Sequence, residues 1–323
     1  MSPKNPTTTK KPSREPGPIS PAKAAAIAKA TAASRAALGG ISPRTAGIER
    51  TKKALVWVYR WGWTTTALLD IAVGSGVAAR MILAGLLVKT PTVSAGIDGT
   101  PSHFLTLSRL GLEHATQLSD VELPYKLNAA RVPQGTLNHH ETVQRLTVVR
   151  DKLFGDLSSF STENELRHSG NLTPTDKIPD AAWNVFNDTL FNDTNGIYRF
   201  AVEIELSPKW KQELDTFVYQ SLLQLARKTY DGILIFSHSD ALLARYKTAF
   251  EPGTRLQTWT RPAGAWIRGS TVQIPPRASG VVQFRLISPE ILGKTTRPAT
   301  APGAQFDNFE TLNDTIDGYK WVM

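Results

Sequence analysis

The run "DGILIFSH", residues 231–238, limits the fold more than any other stretch of this chain. A segment so continuously apolar has no face to give to water, so it belongs in the centre of a sheet with a layer on either side. Its surroundings supply those layers. Residues 197–207 alternate with period two and predict a strand. Ser207 then offers a helix cap, and Pro208 suits the first helical position, where its missing N–H costs nothing. Beyond it Trp210, Leu214, Phe217, Val218, Leu222 and Leu225 form one apolar stripe. Upstream, residues 137–154 place Val143, Leu146, Val149 and Leu153 at helical spacing. Residues 157–169 read as a strand running into a turn or short helix, and 176–186 as a short strand. Residues 187–196 are a turn rich in Asn, Asp and Gly, and 239–250 a last helix. The expected order is αβββαβα, a mixed α/β unit.

Within the strand near residue 200, alternation sends Phe200, Val202, Ile204 and Leu206 one way and Ala201, Glu203 and Glu205 the other. The two carboxylates therefore share a face, with Cα atoms about 7 Å apart. Asp180, in "IPDA", joins them if its strand pairs alongside. Three crowded carboxylates raise one another's pKa unless a cation neutralises them. Oxygen-only ligands of this kind suit Mg²⁺ or Mn²⁺, which lower the pKa of bound water and stabilise charge on a phosphoryl oxygen. Lys209, expected in the first turn of the following helix, adds positive charge on the same side. The competing reading is an edge strand whose glutamates stand in water.

The chain's 323 residues exceed one domain of about 100–200 residues. Its net charge of +9 is concentrated: residues 1–53 hold eleven Lys and Arg against Glu15 and Glu49, leaving 26 residues of each sign elsewhere. Residues 1–45 are expected to be a basic disordered tail or, over 21–38, an alanine-rich helix formed on an acidic partner. DNA fits that partner, because counterion release rewards each neutralised phosphate; a merely solubilising tail is the alternative. There is no cysteine, which excludes disulfides, thiolate zinc sites and a cysteine nucleophile and fits a reducing, cytoplasmic setting. The N-terminal residues lack the apolar core of a secretory signal. The longest apolar stretch, from Ala67, is interrupted by Asp70, by Gly74 and Gly76 and by Arg80, and is not a membrane span.

From Ile48 the pattern turns helical, with Ile48, Leu55, Val58 and Tyr59 near one face. A short helix after Thr66, a glycine turn and a third helix anchored by Val77, Met81, Leu83 and Leu87 follow in helix-turn-helix order. Two extended segments around residues 86–108 then read as a wing, closed by a helix over 108–118. In a winged helix-turn-helix of this kind Arg80 on the third helix and Lys89 at the wing's root face duplex DNA, with Arg50, Lys52 and Lys53 as further phosphate contacts; a generic three-helix unit with Arg80 on a solvated face is the alternative.

"IPD", then a turn, then "VEIELSPK" resembles the Pro-Asp followed by (Asp/Glu)-x-Lys pattern of restriction-endonuclease-like nucleases, whose core is an αβββαβ mixed sheet. Glu205 holds the pattern's lysine position, and the nearest lysine, Lys209, lies further on. With the upstream winged helix, the chain is similar to the replication-relaxation family of mobile-element proteins and to MobC-type plasmid relaxases. In those a helix beginning with His, an upstream Glu, a Pro-Asp and a Glu-x-Glu recur in order; His139 or His140, Glu165, Asp180, and Glu203 with Glu205 match over about residues 48–250. The resemblance implies an α+β chain with a winged helix over 46–135 and a nuclease-like core over 136–252; residues 253–323, which it does not explain, read as a β-rich or irregular extension. It implies Asp180, Glu203 and Glu205 as metal ligands, with Lys209 and Glu165 beside them in catalysis. The expected activity is metal-dependent DNA nicking on an origin-like duplex; relaxosome accessory proteins and a homodimer are compatible partners. A DNA-binding replication or transfer regulator with an inactive core is the alternative.

Lesser candidates are Glu141, read mainly as a solvated helix residue, and Tyr219, read mainly as a core or groove residue rather than a nucleophile. Arg261 and Arg268 flank Trp266 in an arrangement suited to stacking on unpaired bases, or in a β appendage covering the sheet edge.

Overall fold

The computed structural model describes residues 20–37, 39–93, 100–154, 158–170, 176–186 and 197–288. Among these the chain divides into two compact units, one up to Arg50 and one from Thr51. In the first, the alanine-rich stretch is helix α1 (Pro21–Ala37), with every described side chain exposed. The helical alternative is thus the one seen there, and residues 1–19 of the expected tail lie outside the described residues. Helix α2 (Pro43–Trp61) opens at Ser42, whose hydroxyl accepts from the Thr45 N–H at 3.1 Å, so it starts before Ile48. Ile48 itself is exposed, not an anchor.

In the second unit the rest of α2 buries Ala54, Leu55, Trp57, Val58 and Tyr59. Helix α3 (Thr66–Val73) is capped by Thr65, and helix α4 (Val77–Leu83) follows after a 116° bend. Gly74 and Gly76 make that bend with φ of 110° and 75°, a region L side chains avoid. Among the described residues no single helix is long and apolar enough to cross a membrane. Leu68, Leu69, Val77, Ala78 and Met81 close on a shared core, whereas Leu83, expected as an anchor, is 89% exposed. Strands β1 (Leu87–Pro91) and β2 (His103–Leu107) pair antiparallel, Leu87 opposite Leu107; the connecting residues 94–99 lie outside the described residues. Helix α5 (Arg109–Leu118) is capped by Ser108.

The remaining elements are α6 (Leu137–Phe154), β3 (Ser158–Thr162), α7 (Glu163–His168), β4 (Ala181–Phe186), β5 (Ile197–Ile204), α8 (Lys211–Ala226), β6 (Gly232–Ser237), α9 (Asp240–Ala249), β7 (Arg255–Thr260), β8 (Ile267–Gln273), α10 (Ala278–Val281) and β9 (Val282–Leu286). The fold is mixed α+β around a five-stranded mixed sheet in the order β3-β4-β5-β6-β9. The first three strands are antiparallel, and β6 and β9 run parallel to β5. As the apolar run requires, every residue of β6 is buried. On one face Val143 and Leu146 of α6 meet Trp183, Phe200, Val202, Ile204, Leu234 and Phe236. On the other, Phe217 and Val218 of α8 and Leu243 and Tyr246 of α9 meet Ala182, Ala201, Ile233 and Ile235.

The expected boundaries at 135/136 and 252/253 fall inside the unit that begins at Thr51. Two contacts explain why. Trp57 packs in one cluster with Val148 of α6 and against Phe160 of β3, and β9 supplies the fifth strand. A further difference lies at α8, which begins at Lys211, not at Ser207 and Pro208. Arg245 of α9 donates to the Lys209 carbonyl at 2.5 Å, and that carbonyl makes no helical bond. Trp210 is left 67% exposed beneath the Arg245 guanidinium, outside the apolar stripe.

Candidate functional site

The polar residues of the sheet gather at one end of it. There β5 and β6 finish and β4 begins, so Asp180 stands just before β4, next to Glu203 and Glu205 at the close of β5. The alternation places the glutamates with Ala201 on the α8–α9 face. Because β5 is the third strand of five, they do not stand in water: Glu203 is 5% exposed and Glu205 3%. The edge-strand reading of Glu203 and Glu205 is therefore overturned.

Asp180 is fixed from two sides. Its Oδ2 accepts the Ile204 N–H at 2.7 Å, which ties the start of β4 to the end of β5. Its Oδ1 lies 2.9 Å from His139 Nε2 on the first turn of α6. Burial opposes charge on this imidazole, but the Asp180 hydrogen bond and charge outweigh it and hold the His139 pKa above its ordinary value. Burial likewise opposes the Asp180 carboxylate, yet His139, Lys177 and the Ile204 N–H hold its pKa below the usual range.

Glu203 meets Lys177, whose ammonium bonds its Oε1. Burial, with the charges of Asp180 and Glu205 adding to it and Lys177 opposing, pushes the Glu203 pKa up to about 7. Glu205 accepts from Lys209 at Oε1 and from the Tyr246 hydroxyl at Oε2, the latter at 2.7 Å. Burial and Glu205 together push the Tyr246 phenol well above its ordinary range. Lys177 and Lys209 lie over the same Phe217 ring, 4.7 and 4.8 Å from its centre. The ring of α8 thus carries both ammoniums against the carboxylates, a contact that gains from low solvation.

Asp180, Glu203 and Glu205 lie at the same end of adjacent strands, and Lys209, expected in the first turn of the helix, reaches Glu205 from the connection before α8. Among the described residues no three acidic or histidine side chains converge as metal ligands do; each carboxylate is met by its own donor. Glu165 is used elsewhere. Its carboxylate takes a forked bond from Arg60, at 2.6 and 3.0 Å, and closes the capping box of α7 with Thr162. Glu141 is buried, bonded to Thr65 and Arg145, rather than solvated. The His140 ring stands edge-on to His139, centroids 5.7 Å apart, and its Nε2 lies 3.7 Å from Glu163. Tyr219 is half-buried, and Arg50, Lys52, Lys53, Arg80 and Lys89 are exposed. Sequence reasoning missed Lys177 and Tyr246. The signal for Lys177 was present in "KIPD", a lysine three residues before the aspartate; Tyr246 had none, since helical spacing assigns it only to a core.

No family model, no curated protein and no solved structure matches the chain.

Proposed function

We propose that the chain is a DNA-processing protein of a plasmid or integrative element, acting in the cytoplasm and similar to replication-relaxation proteins and MobC-type relaxases. Helices α2 to α4 with the β1–β2 hairpin act as a winged helix-turn-helix on an origin-like duplex, with Arg80 and Lys89 toward DNA. The αβββαβ succession α6, β3, β4, β5, α8, β6 acts as a restriction-endonuclease-like core. The observation that carries the reading is the placing of Asp180, Glu203 and Glu205, two of them nearly buried, at one end of adjacent strands.

The donor set fits Mg²⁺ or Mn²⁺ in chemistry: three carboxylates with no sulfur. Asp180, Glu203 and Glu205 would hold the ion, which when bound stabilises charge on a phosphoryl oxygen and acidifies its water. The chain's own residues do the rest. His139 orients Asp180, Phe217 positions Lys177 and Lys209, and the two ammoniums balance negative charge at the phosphate. The expected result is Mg²⁺- or Mn²⁺-dependent nicking of supercoiled plasmid, reduced about 100-fold or more by Asp180→Ala or Glu203→Ala. Full nicking by either variant sinks the assignment of these residues.

A second reading, a DNA-binding regulator with an inactive core, is favoured by one observation. Five carboxylate oxygens of the three residues already accept protein hydrogen bonds or ion pairs. Duplex binding without nicking in either metal selects it.

A further inference from the structure

Residues 252–288 contain five arginines, no lysine and no acidic residue. Three of the arginines belong to the β7–β8 hairpin and its tip: Arg255, Arg261 and Arg268, all exposed. The hairpin's base is held firmly. Leu256 and Ile274 are buried at 2% and 1% in the α8–α9 core, and the Trp259 indole N–H donates to Asp215 of α8 at 3.0 Å. Its outer strand is not covered: six of the seven residues of β8 are exposed, Ile267 by 52%. At the tip, Ala263 and Gly264 take φ of 48° and 87°, a left-handed reversal that returns the chain onto itself. The reversal sets the Arg261 guanidinium over the Trp266 ring at 5.2 Å, with Arg261 Nε donating to the Gly264 carbonyl. Along the strand Arg268 is steered by Gln257 Oε1 at 2.8 Å.

We propose that this hairpin binds single-stranded DNA. A segment without acidic residues, whose cations are all arginine, suits phosphates, which guanidinium groups grip in a fixed fork. The planar Arg261 and Trp266 pair offers a stacking platform, and a base presents its face to such a platform only when it is out of the duplex. The inference stands on the hairpin alone and does not depend on the carboxylate cluster.

The test is fluorescence anisotropy of a labelled oligothymidylate with the full chain in EDTA, so that no cleavage enters, over a range of salt and against a duplex of equal length. Trp266→Ala is expected to weaken oligothymidylate binding about tenfold and Trp266→Phe to restore most of it. Arg261→Ala with Arg268→Ala is expected to lower the slope of log affinity against log salt by about 1.4, two single-strand phosphate contacts. Wild-type affinity and slope in the arginine variant overturn the proposal. So does an equal loss on duplex, which marks a general phosphate surface. Should Trp266→Ala melt early, the arginine pair, being exposed, decides alone.

Discussion

Glu203 is where a single side chain has most to say. Its folded pKa, pushed up to about 7, lies above the 4.5 of an ordinary glutamate, so the carboxylate is harder to ionise in the folded chain. The unfolded state then loses its proton first. Stability from this residue is fully present below about pH 4.5 and falls as pH rises through about 7. His139, raised above 6.5, loses its contribution in the same direction, while Asp180, lowered, gives stability that disappears only in acid. In metal-free protein Glu203→Gln, which mimics the protonated acid, is expected to melt close to wild type at pH 5 and above it at pH 8, by a difference on the order of 3 kcal/mol. Thermal melts at the two pH values check this, and a difference that does not grow with pH refutes it. The alternation made both glutamates legible and gave their common face. The partners were not legible, because Lys177 reaches Glu203 only through the pairing of β4 with β5, and Tyr246 reaches Glu205 from a helix 41 residues on.

Elements were readable wherever a period was unbroken. Strand β6, helix α6 and the alternating β5 lie where their apolar spacing put them, because burial enforces the same period that the sequence shows. The start of α8 was misread because a local signal, Ser207 with Pro208, competes with a distant one, the Arg245 bond to the Lys209 carbonyl. Pairing across strands leaves a mark of its own at Gly232. It sits opposite Phe200, and a Cβ there would lie 2.8 Å from the ring and 2.9 Å from the Val281 carbonyl. Gly232→Ala must push apart the centre of the sheet and is expected to cost about 1–3 kcal/mol, read as a lower urea midpoint at unchanged slope. A neutral result would mean that β5 and β6 can separate freely at this point.

For the unit that starts at Thr51, one side chain adds a polar tie to the apolar joint between its helical part and its sheet. Arg60 forks onto Glu165, donates to the Phe160 carbonyl at 2.5 Å and covers the Phe160 ring at 4.0 Å, while Thr162 donates to the Arg60 carbonyl. Arg60→Ala leaves Glu165 without its cation in a site only 12% exposed, an expected loss of about 2–3 kcal/mol. Wild type should unfold in one transition seen alike by tryptophan fluorescence and far-ultraviolet dichroism. Separate transitions in wild type would show that the joint does not couple the two parts. This coupling was not legible from sequence, where residues 60 and 165 belong to segments with nothing between them to announce a contact. The fifth strand has a bearing on synthesis. Because β9 is made some fifty residues after β6, the nascent chain carries the most apolar strand of the sheet with one edge unpaired until residue 286 has cleared the ribosome, an interval in which chaperones have their best claim on it.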